Sequence, residues 1–468
     1  MADLVHAPLA HWAAVQPDRP ALDDGRHTLS YAQLHRAVAQ AADRLARERA
    51  PATVFTDPDS GPLDQVVALL AAVASGRCAA VCDPDWTPAV REAVRRAVDR
   101  DPADPPPPRP DSPFYIGFTS GSTGLPKGFR RHHRSWTESF RTCLDTFGPA
   151  AAGRILAPGR AAHSLFLFGM LLGVWSGGGA VLQDRFSAAR ALQVLRAGDT
   201  PTLVAVPSQL VMMLEWAARR GAAPIEGVRL VLISGARWMR HRTAELQALF
   251  PQARLVEFYG ASETSFIAWM DADPHAPPSA VGWPFAGVDI DIRPVADAGP
   301  DGLLYVRSPM LFSDYVGQAG DATQACRDGD WLTVGDMGHW DAQGRLCLVG
   351  RQNRMLVTQG KNLFPEEVET VLAAHPALAA ASVQGLADPV RGQQVVACVQ
   401  PLPGAPAPTA QALQAWCRER LEAYKVPRRF YPCPDWPQTA SGKTDHAALA
   451  RALAAQAHAP TPCWTVWP

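Results

Sequence analysis

The residues best suited to chemistry form a glycine- and hydroxyl-rich loop after the apolar run 114–118. In chain order, the loop consists of Thr119, Ser120, Gly121, Ser122, Thr123, Gly124, Leu125, Pro126, Lys127 and Gly128. Glycines let a backbone fold tightly around an anion, and hydroxyl and backbone N–H groups can donate to phosphate oxygens. Lys127 adds a positive charge, but its spacing from Gly124 is not that of the Walker loop. We therefore expect a polyphosphate site of another type; the alternative is a plain surface loop.

The loop resembles the pyrophosphate-binding loop of the adenylate-forming (AMP-binding) superfamily, which includes acyl-CoA synthetases, nonribosomal peptide adenylation domains and luciferases. Further motifs of that superfamily follow in the same order along nearly the whole chain. The pattern is most similar to that of ligases that join an acyl or aryl acid to CoA or to a carrier protein. The resemblance implies ATP and Mg²⁺ as cofactors, a small carboxylic acid as substrate, and release of pyrophosphate as an acyl-AMP forms.

Residues 257–264, Glu-Phe-Tyr-Gly-Ala-Ser-Glu-Thr, resemble the Tyr-Gly-x-Thr-Glu segment of the superfamily. By that likeness Tyr259 stacks on adenine, with Phe258 and Gly260 beside it. The same likeness implies that Ser262 contacts the α-phosphate. It also implies that Glu263 binds Mg²⁺, a cation that prefers carboxylate oxygens, waters and phosphates. The structural alternative is that these residues only cap the end of a strand.

Three shorter motifs also resemble nucleotide-binding elements of the superfamily. Ser234, Gly235 and Ala236 resemble the turn that flanks adenine. Asp336, at the end of the run 331–336, resembles the aspartate that holds the ribose hydroxyls. Arg351 resembles the arginine that closes the large domain and reaches ribose or phosphate.

Residues 439–443 resemble the mobile loop that delivers the catalytic lysine of the superfamily. Lys443 would bridge the carboxylate of the acid and the α-phosphate, and would neutralise negative charge that grows in the transition state. Together with Lys127, Ser262 and Glu263, it completes the implied catalytic set. That set would reduce the repulsion between two anions and hold them in line for reaction.

The superfamily carries out a second step after its small C-terminal domain rotates. The rotation would withdraw Lys443 and bring Gly360 and Lys361 toward a channel for the thiol of CoA. The alternative acceptor is the phosphopantetheine thiol of a separate acyl carrier protein. At the hinge, where the superfamily has Asp or Lys, this chain has Asn353, which is uncharged but tolerates unusual backbone angles.

The residues expected to line the pocket for the acid are His163, Phe168 and Trp238. His163 matches the histidine that flanks the acyl pocket in the superfamily, and its apolar surroundings favour an aryl or medium-length acyl chain. No aspartate lies between Arg154 and Gln183 to pair with a substrate ammonium, which argues against α-amino acids. The alternative is a histidine packed in the core.

The elements that must position these residues alternate along the chain. Short β-branched runs and helical patterns follow one another, which predicts an α/β fold with doubly wound mixed sheets and then a β-rich subdomain. We expect a large N-terminal domain over residues 1–352, with a shortened N-terminal part at 1–110. A small mobile α+β C-terminal domain is expected over residues 353–468.

Composition narrows the classes of partner. The 468 residues include 44 Lys and Arg and 45 Asp and Glu, for a net charge of −1, which gives no electrostatic reason to expect nucleic acid or an anionic membrane. No apolar run is long enough for membrane insertion, and nine scattered cysteines without a CxxC pair fit a reducing cytoplasm.

Two further alternatives remain open. In the basic run 128–134, we expect Arg130, Arg131 and Arg134 to form a solvated face, and the alternative is a docking patch for CoA phosphate or an acidic carrier protein. The chain could also be an inactive nucleotide-binding regulator. Retention of the candidate residues Lys127, Glu263, Asp336 and Lys443 argues against that class.

Overall fold

The computed structural model describes residues 3–98, 104–119, 126–296, 300–316, 325–388, 391–402, 404, 406–438 and 444–457. The chain forms two compact units. The first comprises Met1–His275, Gly282–Asp289 and Val306–Leu332, and the second comprises Ala276–Val281, Ile290–Tyr305 and Thr333–Pro468. The predicted domain boundary between residues 352 and 353 stays a prediction.

The helices of the described residues are α1 (Pro8–Val15), α2 (Tyr31–Arg47), α3 (Pro62–Ala74), α4 (Pro88–Ala97), α5 (His133–Phe147), α6 (Ser164–Ser176), α7 (Ala188–Arg196), α8 (Pro207–Arg220), α9 (Thr243–Leu249), α10 (Pro365–Ala373), α11 (Ala410–Arg418) and α12 (His446–Ala457). Within the described ranges, no helix combines the length and the apolar character needed to cross a membrane.

The strands are β1 (Pro20–Asp23), β2 (Thr28–Ser30), β3 (Thr53–Phe55), β4 (Cys78–Ala80), β5 (Pro113–Thr119), β6 (Lys127–His132), β7 (Ile155–Ala157), β8 (Ala180–Leu182), β9 (Thr202–Ala205), β10 (Leu230–Ile233), β11 (Arg254–Ala261), β12 (Ser265–Asp271), β13 (Ala280–Pro284), β14 (Asp289–Pro294), β15 (Gly302–Arg307), β16 (Asp314–Val316), β17 (Cys326–Asp328), β18 (Trp331–Thr333), β19 (Asp336–Trp340), β20 (Leu346–Arg351), β21 (Leu356–Thr358), β22 (Lys361–Leu363), β23 (Leu378–Asp388), β24 (Gly392–Pro401) and β25 (Arg429–Pro432).

The main sheet of the first unit has the strand order β2-β1-β8-β7-β9-β10-β11-β12. The strands from β1 to β11 in this order are parallel, whereas β2 and β12 are antiparallel to their neighbours. Helices α6 to α9 connect the successive strands from β7 to β11. Strand residues Leu203, Val231 and Val256 are fully buried, as is typical of a parallel sheet with both faces covered. The predicted α/β fold is confirmed.

A second sheet of the first unit has the order β16-β6-β5-β4-β3. In the antiparallel pair β5 and β6, Thr119 lies opposite Lys127, so the two ends of the predicted polyphosphate loop are neighbours. Strand β16 pairs with the other side of β6. This approach requires glycine at position 128, because a Cβ on Gly128 would lie 2.6 Å from Cγ2 of Val316.

The second unit contains an antiparallel pair, β19 and β20, and a separate sheet with the order β22-β21-β24-β23 and β25 beside β24. Apolar residues of this sheet and of α10 and α11 form one core cluster, in which Val368, Leu413 and Phe430 are fully buried. The α+β character predicted for the C-terminal residues is therefore confirmed. Their mobility stays a prediction.

Candidate functional site

The turn between β11 and β12 carries two of the predicted catalytic residues, Ser262 and Glu263. The backbone N–H of Ala261 donates to Oγ1 of Thr264 at 3.0 Å, which closes the turn on itself. Gly260 allows the two strands to approach, because a Cβ there would lie 1.8 Å from the carbonyl oxygen of Ser265. The closure of the turn and the close approach of its strands therefore both depend on residues local to the turn.

Glu263 lies close to Lys127 through Tyr315 of β16. The phenol of Tyr315 donates to Oε1 of Glu263 at 2.8 Å, and the ammonium of Lys127 lies 3.4 Å from the centre of the Tyr315 ring. Burial lowers the pKa of Lys127, and the negative charge of Glu263 opposes that shift. The structure thus brings two predicted site residues together, and adds Tyr315, which had no local signal in the sequence.

The two segments predicted to hold adenine lie side by side at the carboxyl ends of β10 and β11. Ile233 of β10 pairs with Glu257 of β11, and Oγ of Ser234 donates to the carbonyl oxygen of Phe258 at 2.9 Å. Gly235 has a φ of +86°, a left-handed conformation that favours glycine. Ligands of open α/β sheets bind at this edge. The adenine contacts of Ser234, Gly235, Ala236, Phe258, Tyr259 and Gly260 stay predictions.

In the second unit, the two residues predicted to contact ribose form an ion pair. Asp336 lies opposite Arg351 in the β19–β20 ladder, and Nε of Arg351 is 3.0 Å from Oδ1 of Asp336. The aspartate is mostly buried, whereas about half of the arginine side chain is exposed. Gly335, with a φ of +83°, makes the turn before the aspartate, and its carbonyl accepts from the N–H of Gln352 at 2.8 Å.

The predicted hinge and thiol-channel residues also lie in the second unit. Asn353 is in a short 3₁₀ turn, Gln352–Arg354, directly after β20. Gly360, with a φ of +73°, lies between β21 and β22. The ammonium of Lys361 is 4.8 Å from the centre of the Tyr424 ring, and the Tyr424 hydroxyl donates to the carbonyl oxygen of Asn362 at 3.3 Å. Tyr424 therefore supports this hairpin.

The residues predicted for the acyl pocket have different surroundings. His163 is half-buried and immediately precedes α6. The ring of Phe168 lies among other aromatic rings, with Phe266 at 5.1 Å between centroids. Trp238 is buried in the core cluster under α8 and α9, and its Nε1 donates to Oγ1 of Thr243 at 3.0 Å. The pocket stays a prediction.

Some predicted site residues lie outside the described ranges. These are Ser120, Gly121, Ser122, Thr123 and Gly124 of the polyphosphate loop, and the predicted catalytic residue Lys443.

The expectation of a solvated basic face is wrong for Arg131. Its side chain is only 1% exposed. Arg130 and Arg134 are more exposed and pair with Asp314 and Asp111, respectively. A run of like charges is usually solvated, but here the alternation of a β-strand turns the middle arginine inward.

The donor set of the site suits Mg²⁺ bound together with phosphates. Within the described part of the chain, no three His, Cys, Asp or Glu side chains are grouped so that they could hold a metal ion by themselves. Mg²⁺ commonly uses only one or two protein carboxylates and takes its other ligands from phosphates and water. Glu263, close to Lys127, fits that chemistry.

Comparisons of the sequence with known proteins identify the family of this chain. Residues 52–316 match the family model of AMP-binding enzymes, and residues 367–443 match that of the AMP-binding enzyme C-terminal domain. An uncharacterized acyl–CoA ligase of Bacillus subtilis, YhfT, is 39% identical over 341 residues, which cover 71% of this chain and 67% of the relative. An indoleacetate–CoA ligase of Aromatoleum aromaticum is 30% identical over 362 residues, covering 76% and 69%.

A solved structure has the same fold. The o-succinylbenzoate CoA synthetase (MenE) of Bacillus subtilis, in complex with its acyl-adenylate intermediate, aligns with a TM-score of 0.81 at 23% identity. The alignment covers 94% of this chain and 97% of that one. Because the first family model alone spans more than half of the 468 residues, the chain belongs to the family of AMP-binding, adenylate-forming enzymes.

Proposed function

We propose that this protein activates a carboxylic acid with ATP, forming an acyl-AMP and pyrophosphate, and then transfers the acyl group to the thiol of CoA, releasing AMP. The observation that carries the proposal is the arrangement of Lys127, Tyr315 and Glu263 beside the turn that bears Ser262. A carboxylate and a polyphosphate repel each other, so the reaction needs positive charge held in a fixed place.

In the first half-reaction, Tyr259 stacks on adenine and Ser262 donates to the α-phosphate. Lys127 binds the outer phosphates. Glu263 would hold Mg²⁺, which would neutralise negative charge on the pyrophosphate that leaves. Lys443 approaches the carboxylate as it attacks the α-phosphorus, so that the growing negative charge meets an ammonium.

In the second half-reaction, the chain turns at Asn353 and the hairpin of Gly360 and Lys361 borders the channel for the thiol. The thiolate attacks the acyl carbon of the mixed anhydride, and AMP leaves. Asp336 and Arg351 bind the ribose in both steps. The ion pair between them supports this role, because it holds the carboxylate of Asp336 in place to accept hydrogen bonds from the ribose hydroxyls.

The names of the relatives favour CoA over a carrier protein as the acceptor, since YhfT and the protein from Aromatoleum aromaticum are both CoA ligases. For the acid, we propose an aryl or medium-length acyl chain. The aromatic surroundings of Phe168 and the absence of an aspartate between Arg154 and Gln183 support this class.

Trapping of acyl-AMP with hydroxylamine across a panel of acids tests the first half-reaction without knowledge of the acceptor. The panel includes aryl acids, fatty acids of increasing length and α-amino acids. Mass spectrometry of thioesters formed with CoA, and separately with carrier proteins, tests the second. We expect acid-dependent pyrophosphate release with aryl or medium-chain acids and thioester with CoA; background release with every acid would contradict the proposal.

A further inference from the structure

Arg131 of β6 connects four parts of the first unit, although it is only 1% exposed. Its Nη1 donates to the carbonyl oxygen of Ser262 at 2.7 Å. Its Nη2 donates to Oγ of Ser265 at 2.7 Å and to the carbonyl oxygen of Met310 at 2.6 Å. Its Nε donates to Oγ of Ser135 in α5 at 3.1 Å. One guanidinium thus links β6, α5, the β11–β12 turn and the segment before β16.

All four of these acceptors are uncharged. A buried charge is costly unless a partner offsets it, and burial lowers the pKa of Arg131 to about 9, against the opposing effect of the negative charge of Glu263. The guanidinium is still protonated at neutral pH. Apolar residues of similar volume at such positions are often neutral or stabilising, so packing alone does not account for an arginine here.

The contacts of Arg131 fall on both sides of Glu263. Ser262 precedes the glutamate and Ser265 follows it by two positions, so the planar guanidinium fixes two points of the turn relative to each other. Ser265 has a φ of +57°, a conformation that residues other than glycine seldom adopt. The backbone N–H of Phe312 also donates to the carbonyl oxygen of Glu263 at 2.7 Å, which ties the turn to the segment that Arg131 reaches through Met310.

We propose that Arg131 is a positioning residue for a Mg²⁺-bound polyphosphate. Its guanidinium fixes the turn 261–265, so that the hydroxyl of Ser262 and the carboxylate of Glu263 meet the phosphates and the cation without rearrangement. The inference rests on the proposed function and adds a residue to it. Arg131 touches no substrate and acts through the turn, because a turn that is already ordered loses little entropy when the ligand binds.

Three variants separate this role from a purely structural one. Arg131→Met removes both the charge and the donors, and Arg131→Lys keeps the charge but not the planar fork. Arg77→Met is the matched control. Arg77 is 2% exposed, lies in the same unit, and donates to the carbonyl oxygens of Ala50 at 3.1 Å and Ser75 at 3.2 Å, outside the 261–265 turn.

The quantities to measure are the Mg²⁺ concentration for half-maximal pyrophosphate release, the KM for ATP and the Tm. Arg131→Met should raise the first two by roughly 10-fold, the lower end of the loss seen when a direct partner of a metal ligand is removed, because Arg131 acts on Glu263 only through the turn. Arg131→Lys should recover little of this loss, since an ammonium cannot span the two serines. Arg77→Met should lower the Tm while both concentrations stay within about twofold of wild type.

The inference is wrong if Arg131→Met lowers only the Tm, or if Arg131→Lys has the wild-type dependence on Mg²⁺ and ATP. Should Arg131→Met not fold, Ser265→Gly takes its place, because it removes one acceptor and accepts the left-handed backbone. An unchanged Mg²⁺ dependence in that variant overturns the inference.

A wild-type protein that releases no pyrophosphate with any acid contradicts the proposed function instead. Calorimetric titration of the same variants with Mg²⁺ and ATP then tests the positioning role.

Discussion

The phenol of Tyr315 donates a 2.8 Å hydrogen bond to Oε1 of Glu263 while its ring lies 3.4 Å from the ammonium of Lys127. One tyrosine therefore sets the spacing between the proposed metal ligand and the proposed phosphate-binding lysine. A hydrogen bond to a charged group contributes about 1.5–3 kcal/mol, and a partly desolvated cation–π contact contributes about 1–2 kcal/mol. Tyr315, which makes both contacts, belongs neither to the predicted motif of Lys127 nor to that of Glu263.

Tyr315→Phe should weaken Mg²⁺-dependent ATP binding by on the order of tenfold, because it removes the hydrogen bond to Glu263 and keeps the ring under Lys127. Tyr315→Ala should lose more, since it removes both contacts. Isothermal titration with ATP and Mg²⁺ measures the two affinities. Equal affinities for the two variants would show that the ring contact contributes nothing.

Gly260→Ala should destabilise the protein by about 3 kcal/mol and impair ATP binding, because the new methyl group would overlap the carbonyl oxygen of Ser265. Neither partner can move away cheaply, since that oxygen belongs to the backbone of β12. Thermal unfolding and ATP titration measure the two effects.

Gly61→Ala is the matched control for that substitution. A Cβ on Gly61 would meet only Oδ2 of Asp64, at an ordinary 3.6 Å, and the residue has a φ of −64°. Its unfolding free energy should stay within about 0.5 kcal/mol of wild type. A similar loss in both glycine variants would mean that the close approach at position 260 is not the cause.

Acid should destabilise the first unit through two buried imidazoles. Burial lowers the pKa of His133 to about 3 and that of His6 to about 4, so both are neutral in the folded protein near pH 6. The unfolded chain binds protons at the ordinary value of about 6.5. Above pH 6.5 these two histidines therefore leave the unfolding free energy unchanged. As the pH falls from there toward the folded pKa values, the unfolding free energy decreases by at most about 1.4 kcal/mol per pH unit for each histidine.

His133→Asn should make that pH dependence shallower. The amide oxygen can accept from the N–H of Val5, as Nδ1 of His133 does at 3.1 Å, but it does not titrate. The measurement is the slope of the unfolding free energy between pH 4.5 and 6.5, in the wild type and in the variant. Parallel slopes would mean that other groups cause the acid sensitivity.

Lys443→Ala should abolish formation of the acyl-AMP and leave thioester formation from supplied acyl-AMP largely intact, because the proposed mechanism uses the lysine only in the first half-reaction. Lys361→Ala is the complementary variant and should impair only the second. Pyrophosphate release and thioester formation are assayed separately. Equal loss of both half-reactions in Lys443→Ala would contradict a mechanism in which the C-terminal domain rotates.

The parts of the site that could be predicted are those encoded by contiguous residues. The strand ends at Thr119 and Lys127 flank the glycine-rich loop, and Gly260, near the end of β11, and Glu263, in the turn that follows, lie three residues apart. Tyr315 and Arg131 could not be found in this way, because the contact of Tyr315 with Glu263 and those of Arg131 with Ser262 and Met310 join residues 52, 131 and 179 positions apart. No local sequence pattern predicts that β16 pairs with β6.

The sequence also could not predict which individual side chains are buried. The basic run 128–134 predicts solvated arginines, yet the strand periodicity places Arg131 inside, where backbone carbonyls satisfy it. Apolar neighbours at Trp238 could indicate either a pocket or a core, and its indole donates to Thr243 within a core cluster. Hydrophobicity alone does not distinguish an empty cavity from a filled one.

The four contacts of Arg131 also bear on the order in which the molecule folds. Three of its acceptors lie 131, 134 and 179 residues further along the chain, so a large loss of chain entropy precedes their contact. A nascent chain that has not yet emerged past Met310 carries a guanidinium without its full set of acceptors. The turn of Glu263 therefore cannot acquire its full set of contacts before the segment of Met310 and Phe312 has folded against it.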